Sequence, residues 1–322
     1  MKLTVLSQDD VRRAIDMPAA IEACVGAYKE LSAGRALSPV RHALHTPGGT
    51  SLFMPAYLMD TRALGAKIVS AFQGNPDRGL PSINGVVLLL DPDTGVPMAL
   101  MDGTYLTALR TGAGAGVATR ELAREDARVL TVFGAGPQAL TQIEAVRAVR
   151  DIEEVRVVSR GGDSARALAA ELEGVAASAY DDASAAVRGA DIVCAATTSA
   201  TPVFPDAAAE PGVHVNGVGS FKPDMQEIDE ALLLRARVVV DARDAALEET
   251  GDLIIPIEKG VFGEDHIAAD IGEILAGTAE GRTSPDQITY FKSVGNAVQD
   301  MAVALATVRE AEARGFGQTI EL

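Results

Sequence analysis

Hydrophobic and polar positions follow two different patterns along the chain, and the change falls at about residue 127. Before it, short stretches of alternating apolar and polar residues are separated by turn residues, such as Pro47-Gly48-Gly49. Alternation with a period of two predicts strands, and tight turns between them predict antiparallel hairpins. The predicted elements of this part are a strand at 3–6, helices that begin after Ser7 and Asp16, strands at 40–45, 51–57, 86–90 and 96–101, and a helix at about 104–122.

From residue 127 onward, short apolar strands alternate with helical segments. This order predicts a parallel sheet with crossover helices. The predicted strands are 129–133, 155–159, 192–195, 213–217 and 238–240, with helices from Pro137 and Ser164. A last amphipathic segment, with apolar residues at helical spacing from Ala297 to Val308, runs to about Arg314 and is expected to pack back on the first part.

The two patterns predict an α/β protein with two domains. Residues 119–295 are expected to form a Rossmann dinucleotide-binding domain. Residues 1–118 together with 296–322 are expected to form a split α+β domain. A chain of 322 residues is long enough for two cores of ordinary size.

A glycine-rich loop follows the predicted strand 129–133 and opens a helix, which is the setting that a dinucleotide-binding fingerprint needs. The first glycine allows a tight turn, the second lets the backbone approach a diphosphate, and alanine at the third position permits close packing of helix and strand. The helix N-terminus supplies amide groups and a partial positive charge for the diphosphate. The candidate cofactor residues here are Gly134, Ala135, Gly136, Pro137, Gln138 and Ala139.

Cofactor preference is expected to be set at the end of the second strand of this domain, where an acidic residue would bind the ribose hydroxyls of NAD. Ser159 and Arg160 occupy this place. A hydroxyl and a guanidinium suit a 2′-phosphate, so NADP(H) is favoured. Asp163, a few residues further on, leaves NAD(H) as the alternative.

Composition excludes several classes of function. The net charge of −17 argues against a nucleic-acid partner, since a phosphate backbone needs a basic surface. No apolar run approaches the roughly 20 residues of a membrane helix, and the N-terminal residues do not resemble a secretion signal, so a cytoplasmic location is expected. The two cysteines, Cys24 and Cys194, are interpreted as buried apolar residues, and no metal site is predicted.

Three basic residues occur where strands or small-residue helices are predicted: Arg41, Lys67 and Arg110. Any one of them alone is more often a surface charge. The four histidines do not form a catalytic pair with a suitable partner, and they are interpreted as packing or surface residues.

Several strings together resemble the ornithine cyclodeaminase and mu-crystallin family over essentially the whole chain. They are Phe53-Met54-Pro55, Gly65-Ala66-Lys67, 91–97, Thr107-Ala108-Leu109-Arg110-Thr111, the glycine-rich loop, Asn216-Gly217-Val218-Gly219-Ser220 and Ser293-Val294-Gly295. The resemblance implies a homodimer in which the split domain serves substrate binding and dimerisation. It places Arg41, Lys67 and Arg110 around the substrate α-carboxylate, and Thr111, Thr197, Val218 and Ser293 along the cofactor.

The sequence departs from the cyclodeaminases at two positions. Where they have an aspartate after the Asn-x-Val-Gly string this chain has Ser220-Phe221, and where they have a glutamate before the Met-Pro pair it has Leu52. Ornithine is therefore not the expected substrate, and Leu52 and Phe221 are expected to form an apolar wall for a ring. Asp224 is a weaker candidate for the absent carboxylate, and Glu227 and Asp229 are interpreted as helix-start residues.

These observations predict an NAD(P)H-dependent reductase that converts Δ1-pyrroline-2-carboxylate or Δ1-piperideine-2-carboxylate into proline or pipecolate. Lys67 lies between two guanidiniums in this picture, loses its proton more easily than an exposed lysine, and is the expected proton donor to the imine nitrogen. The alternatives are an alanine-type amino-acid dehydrogenase, an ornithine cyclodeaminase and, from another class, a mu-crystallin-like protein that binds small ligands.

Overall fold

The structure, a computed structural model, describes residues 2–321 and contains two compact units. Unit 1 comprises the residues up to Arg110 together with those from Asn296 onward, and unit 2 is Thr111–Gly295. The first boundary was expected after residue 118, whereas the division falls after Arg110, inside a helix.

Sixteen strands and eleven α-helices occur within residues 2–321. The strands are β1 (Lys2–Leu6), β2 (Ala36–Leu37), β3 (His42–Thr46), β4 (Gly49–Leu58), β5 (Ala63–Ala71), β6 (Ile83–Leu90), β7 (Pro97–Asp102), β8 (Val129–Phe133), β9 (Glu154–Val158), β10 (Ala176–Tyr180), β11 (Ile192–Ala195), β12 (His214–Gly217), β13 (Arg237–Val240), β14 (Ile267–Asp270), β15 (Thr289–Lys292) and β16 (Gln318–Glu321). The helices are α1 (Gln8–Ala14), α2 (Met17–Ser32), α3 (Gly103–Leu122), α4 (Pro137–Val149), α5 (Asp163–Glu171), α6 (Ala183–Val187), α7 (Glu230–Arg235), α8 (Arg243–Glu249), α9 (Gly251–Glu258), α10 (Ile271–Leu275) and α11 (Ala297–Arg314).

Unit 1 is built on one sheet in the order β16-β1-β7-β6-β5-β4-β2, with β3 paired to β4. All pairs are antiparallel except β1 with β7, and the two predicted hairpins, β3–β4 and β6–β7, are present. Alternate residues of β4, β5 and β6 are buried, as expected for a sheet with one covered face. Helices α2 and α11 pack together, and α11 contacts β4 and β5. The C-terminal helix therefore returns to the first part of the chain, as predicted.

Gly65 in β5 allows α11 to lie close to the sheet. A Cβ atom at this position would lie 2.9 Å from the sulfur of Met301 and against the backbone carbonyl of Leu88. Only a glycine fits such an approach without displacing the helix. The contact brings the first turns of α11 close to the buried face of β5, next to Lys67.

Unit 2 contains an eight-stranded sheet in the order β10-β9-β8-β11-β12-β15-β13-β14, and all of its pairs are parallel. The strand order changes direction between β8 and β11, which is where ligands bind in open α/β sheets. The predicted Rossmann architecture is confirmed. The hydrophobic pattern missed β10, β14 and β15, because these strands are short and include alanine, serine or charged residues.

Within residues 2–321, none of the helices combines the length and the apolar character that a bilayer span requires.

Candidate active site

The glycine-rich loop joins β8 to α4 at the carboxyl edge of the unit 2 sheet. Gly134 has φ +101°, and a Cβ there would lie 2.5 Å from the carbonyl oxygen of Ala196, so the turn requires glycine. Gly136 is the exposed N-cap of α4, with Pro137 at the helix start and a fully buried Ala139 below. The first amides of a helix lack partners within it, and the exposed backbone at Gly136 fits a diphosphate.

The loop after β9 carries the residues expected to select the cofactor. Ser159 Oγ accepts hydrogen bonds from the amide of Ala165 at 3.1 Å and from the hydroxyl of Ser164 at 2.9 Å, so it tethers the start of α5. Ser159 Oγ is the acceptor in both of these bonds. The hydroxyl of Ser159 can therefore still donate a hydrogen bond. Arg160 is exposed, and the carboxylate of Asp163 is paired with Arg166 at 2.8 Å.

Three further loops at the same edge carry Thr197, Val218 and Ser293, and buried carboxylates hold all three. Glu227 accepts hydrogen bonds from the loop of Thr197 and from the loop that follows Val218. Asp241, at the end of β13, accepts from the Ser293 hydroxyl at 2.8 Å and from the amides of the next two residues at 3.1 and 2.9 Å. The interpretation of Glu227 as a helix-start residue is wrong. Asp229, by contrast, caps α7 through a bond from the amide of Ala231.

In unit 1, Lys67 and Arg110 meet at the carboxylate of Asp300. Lys67 Nζ lies 2.6 Å from Asp300 Oδ2, and Arg110 Nε donates to Asp300 Oδ1 at 3.0 Å. Lys67 is 1% exposed and Arg110 6%, while Asp300 is completely buried. Lys67 lies on the covered face of β5 between Met54 and Val87.

Burial is the main cause that lowers the pKa of Lys67 to about 7, and the charge of Arg110 lowers it further. Asp300 opposes this shift by charge and by hydrogen bonding, and Arg41 contributes a smaller lowering. Arg41 lies directly before β3 and is half-buried. The fold therefore joins Lys67 and Arg110 at one carboxylate, and the charge of Arg41 acts on the same ammonium group.

Sequence reasoning missed one buried carboxylate in unit 1 and two in unit 2. Asp300 lies three residues after Ala297, on the buried face of α11. An acidic residue on an otherwise apolar helix face was the pattern that could have identified it. Asp241 directly follows the buried strand β13, which is a similar signal. Glu227 lies in a loop, and no local pattern marks it as buried.

The remaining candidates lie in more ordinary surroundings. Asp224 is exposed in the loop after β12, Leu52 is half-buried in β4, and Phe221 is 43% exposed. His214 is buried in β12, where desolvation lowers its pKa to about 3 and it bonds to Thr289 and Asn216. It is a packing residue, as expected.

The geometry supplies two chemical functions. Unit 1 presents a guanidinium and a titrating ammonium that suit a carboxylate next to a proton acceptor. Unit 2 presents a glycine-rich loop at a helix N-terminus and loops bonded to buried carboxylates, an arrangement that suits a dinucleotide. Among residues 2–321, no three side chains of the His, Cys, Asp or Glu type are grouped to hold a metal ion.

Comparison with known proteins finds a matching family and similar proteins over almost the whole chain. The model of the ornithine cyclodeaminase/mu-crystallin family matches residues 1–315. A Delta(1)-pyrroline-2-carboxylate reductase of Bacillus cereus is 42% identical over 325 residues, which cover 99% of this chain and 100% of that protein.

Two solved structures are also very similar. The Thermococcus litoralis Delta(1)-pyrroline-2-carboxylate reductase in complex with NADH and L-proline has a TM-score of 0.95 and 39% identity, and the match covers 98% of this chain and 100% of that one. An archaeal alanine dehydrogenase dimer with bound NAD has a TM-score of 0.95 and 37% identity, and the match covers 100% of both chains.

Proposed function

The chain belongs to the ornithine cyclodeaminase/mu-crystallin family, and on that premise we propose that it is an NAD(P)H-dependent reductase of cyclic ketimine carboxylates. Its substrates are Δ1-pyrroline-2-carboxylate and Δ1-piperideine-2-carboxylate, and its products are proline and pipecolate. The observation that carries the proposal is the buried Lys67, held by Asp300 beside Arg110, with a pKa of about 7. An imine reductase needs a carboxylate site and a proton donor, and this cluster supplies both.

Arg41, Lys67 and Arg110 bind the α-carboxylate of the substrate in this proposal. Lys67 and Arg110 share a single internal carboxylate, Asp300, and the charge of Arg41 acts on Lys67, which supports an anion site at this cluster. Guanidinium groups bind a carboxylate in a fixed orientation, and fixing the substrate orders the C=N bond for reaction.

Lys67 is the general acid. When bound, the reduced nicotinamide supplies the hydride that adds to the C=N carbon, and the ammonium of Lys67 donates the proton that the nitrogen needs. A donor whose pKa lies near the working pH transfers a proton most effectively. Lys67 then recovers its proton from solvent, which balances one hydride and one proton per imine reduced.

The cofactor is held by unit 2 in the proposed enzyme. Residues 134–139 contact the diphosphate, and Thr111, Thr197, Val218 and Ser293 line the nicotinamide side. This assignment is supported by the exposed backbone at Gly136 and by the position of the loops at the carboxyl edge of the sheet.

We further propose that NADPH is preferred over NADH. Ser159 keeps a proton to donate, Arg160 is exposed, and the acid that would favour NAD, Asp163, is already paired with Arg166. A 2′-phosphate would bind Arg160, while a ribose hydroxyl gains little from it.

The variant Arg160→Ala tests this preference. We expect the KM for NADPH to rise about tenfold, as for a lost charge-assisted hydrogen bond, with the KM for NADH almost unchanged. Arg147→Ala, which removes an exposed arginine of α4, is the control for a general loss of positive charge. A wild-type enzyme with a higher kcat/KM for NADH than for NADPH would contradict the preference.

The substrate is tested by steady-state assays of the purified protein, with both reduced cofactors for the imines and both oxidised cofactors for L-ornithine. We expect turnover with the two cyclic imines and none with L-ornithine, because Leu52 and Phe221 stand where the cyclodeaminases have carboxylates. The exposed Asp224 is the remaining candidate for such a carboxylate, and turnover of ornithine that Asp224→Asn abolishes would assign it that role.

An alanine dehydrogenase is the second candidate, favoured by the likeness to the archaeal enzyme. The same carboxylate site would accept pyruvate, so faster cofactor oxidation with pyruvate plus ammonia than with either imine would decide for it. Tight binding of small ligands, with no cofactor oxidation by any imine or oxo acid, would instead indicate a binding protein of the mu-crystallin type.

Unit 1 also provides the proposed dimer surface, in addition to the substrate site. On the outer face of its sheet, Phe53, Ile68 and Val86 lie side by side across β4, β5 and β6 and are 37%, 38% and 42% exposed. A contiguous apolar row on a sheet face is typical of a protein interface. We propose that a second copy of this chain covers it, in a cytoplasmic homodimer.

A further inference from the structure

One buried carboxylate in unit 2 receives four hydrogen bonds from two loops. Glu227 Oε1 accepts from the amide of Thr197 at 2.6 Å and from its hydroxyl at 2.8 Å. Glu227 Oε2 accepts from the amides of Gly219 at 2.7 Å and Ser220 at 2.9 Å. Glu227 is completely buried. All four partners are donors, so the site is built for an ionised carboxylate.

The two loops are also packed directly against each other. A Cβ at Gly219 would collide with the backbone of Thr197 and lie 2.5 Å from Glu227 Oε1. The loops follow β11 and β12, which are adjacent in the sheet, and β11 borders the point where the strand order reverses. A ligand at the carboxyl edge of such a sheet lies against these loops.

A second layer of buried charge holds Glu227 in place. Asp252 Oδ1 accepts from the amides of Glu227 at 2.6 Å and Ile228 at 3.2 Å. Asp252 Oδ2 accepts from Lys292 Nζ and from the hydroxyl of Tyr290, both at 3.0 Å. Lys292 and Asp252 are completely buried. The carboxylate therefore has a fixed backbone as well as a fixed side chain.

We propose that Glu227 is a positioning residue that locks the loops of Thr197 and Gly219 into the arrangement that binds the nicotinamide end of the cofactor. It acts through these loops and not by touching the reacting atoms. The proposal rests on the proposed function only in taking the ligand to be a nicotinamide dinucleotide.

Stability alone does not explain a carboxylate at this place. Burial raises the pKa of Glu227, with the charge of Asp252 in the same sense, while Lys292 and the bonds from Thr197 oppose the shift. An apolar side chain here would leave the amides of Thr197, Gly219 and Ser220 without their acceptor, so the carboxylate also contributes to stability. What a carboxylate adds is two acceptor oxygens in a rigid fork, which fix the spacing between two loops.

The test is cofactor binding by the full-length protein without substrate, measured from the fluorescence of NADH and NADPH, together with thermal unfolding of the free protein. Glu227→Gln is the principal variant, because a carboxamide replaces one acceptor oxygen by a donor group that would face donors. Glu227→Asp keeps the charge but is one methylene shorter, so it cannot reach both loops. Glu230→Gln, the same chemical change at a surface ion pair with Lys259, is the matched control.

We expect Glu227→Gln to raise the dissociation constant of the reduced cofactor about tenfold or more, as the loss of bonds to a charged acceptor would. Glu227→Asp should give a smaller increase, and Glu230→Gln none. In turnover, the KM for the cofactor should rise while the KM for the imine stays within about twofold, a split that general destabilisation does not produce.

A Glu227→Gln protein with a lower melting temperature but a wild-type dissociation constant would overturn the proposal, since the role would then be structural only. If Glu227→Gln does not fold, Glu227→Asp decides, and wild-type cofactor binding by that variant would overturn it. A wild-type protein that binds neither NADH nor NADPH would instead refute the proposed function, so the two failures are distinguishable.

Discussion

Lys67 is a cationic side chain that is 1% exposed and lies beside another cation. An ammonium in such a place pays a large desolvation cost, which Asp300 offsets only in part, and its pKa falls to about 7. In the proposed mechanism, the same cost favours transfer of the Lys67 proton to a bound imine. At the residue scale, the desolvation of the Lys67 ammonium accounts for its ion pair with Asp300 and for the acid role that we propose for it.

The pH dependence of the reaction should follow the protonation of Lys67. Imine reduction needs the ammonium form, so kcat/KM for the imine should fall as the pH rises through about 7, whereas oxidation of the product needs the neutral amine and should become faster over the same range. The measurement is the pH profile of both directions. Lys67→Met should lose turnover, and a variant with full turnover at saturating substrate would contradict the acid role.

Asp300→Asn tests the counter-charge. Removing the negative charge that lies 2.6 Å from Lys67 Nζ lowers the pKa of Lys67 further, so the falling limb of the kcat/KM profile should move to lower pH by about one unit. Thermal unfolding of the variant controls for a general loss of structure. A folded variant whose pH profile coincides with that of the wild type would show that Asp300 does not influence the acid.

At the scale of an element, the β8-turn-α4 segment uses its two glycines for different purposes. Gly134 is required by the fold, because its φ of +101° and its contact with Ala196 exclude a side chain. Gly136 has φ −88°, and a Cβ there would meet nothing within 4 Å. The fold itself therefore does not require glycine at 136, which supports the proposed approach of a diphosphate to this residue.

Substitution by alanine should separate these purposes. Gly134→Ala should destabilise unit 2 by about 1–3 kcal/mol, the cost of a strained backbone position, measured by denaturant unfolding. Gly136→Ala should unfold like the wild type but bind NADPH and NADH more than about tenfold more weakly, because its methyl group occupies the path of the diphosphate. Unchanged cofactor affinity in Gly136→Ala would show that the diphosphate does not approach this loop.

At the scale of the whole molecule, the outer face of the unit 1 sheet presents the apolar row of Phe53, Ile68 and Val86. Unit 2 carries large exposed apolar side chains at separate places, such as Leu140 and Leu234. Scattered apolar residues are common on protein surfaces, while a contiguous row on a sheet is typical of association. This contrast places the proposed dimer contact on unit 1.

Ile68→Lys should convert the dimer into a monomer, because it places a charge in the middle of the row. The mass in solution, measured by light scattering after size-exclusion chromatography, gives the result. Leu234→Lys, at a residue of α7 that is 51% exposed, is the control and should leave the mass unchanged. A dimeric Ile68→Lys protein would exclude this face as the interface.

Local patterns determined most of the architecture. The hairpins β3–β4 and β6–β7, the β8-turn-α4 unit and the amphipathic α11 were predicted because each has a periodicity or turn signal within a short window. The strands β10, β14 and β15 lack strong apolar patterns and are stabilised by neighbours distant in sequence. The three basic site residues were identified from their unusual places in predicted elements and from the family strings.

The sequence by itself therefore determined the parallel sheet and the glycine-rich turn, and it singled out Arg41, Lys67 and Arg110 as candidate site residues. The tertiary structure alone decided which carboxylates Lys67, Arg110 and the loops after β11, β12 and β15 meet. Asp300 lies 233 positions from Lys67 along the chain, and Glu227 joins loops that follow two different strands. Which residues contact a buried carboxylate depends on how distant elements pack and on the need to compensate buried charge. No short stretch of sequence contains that information.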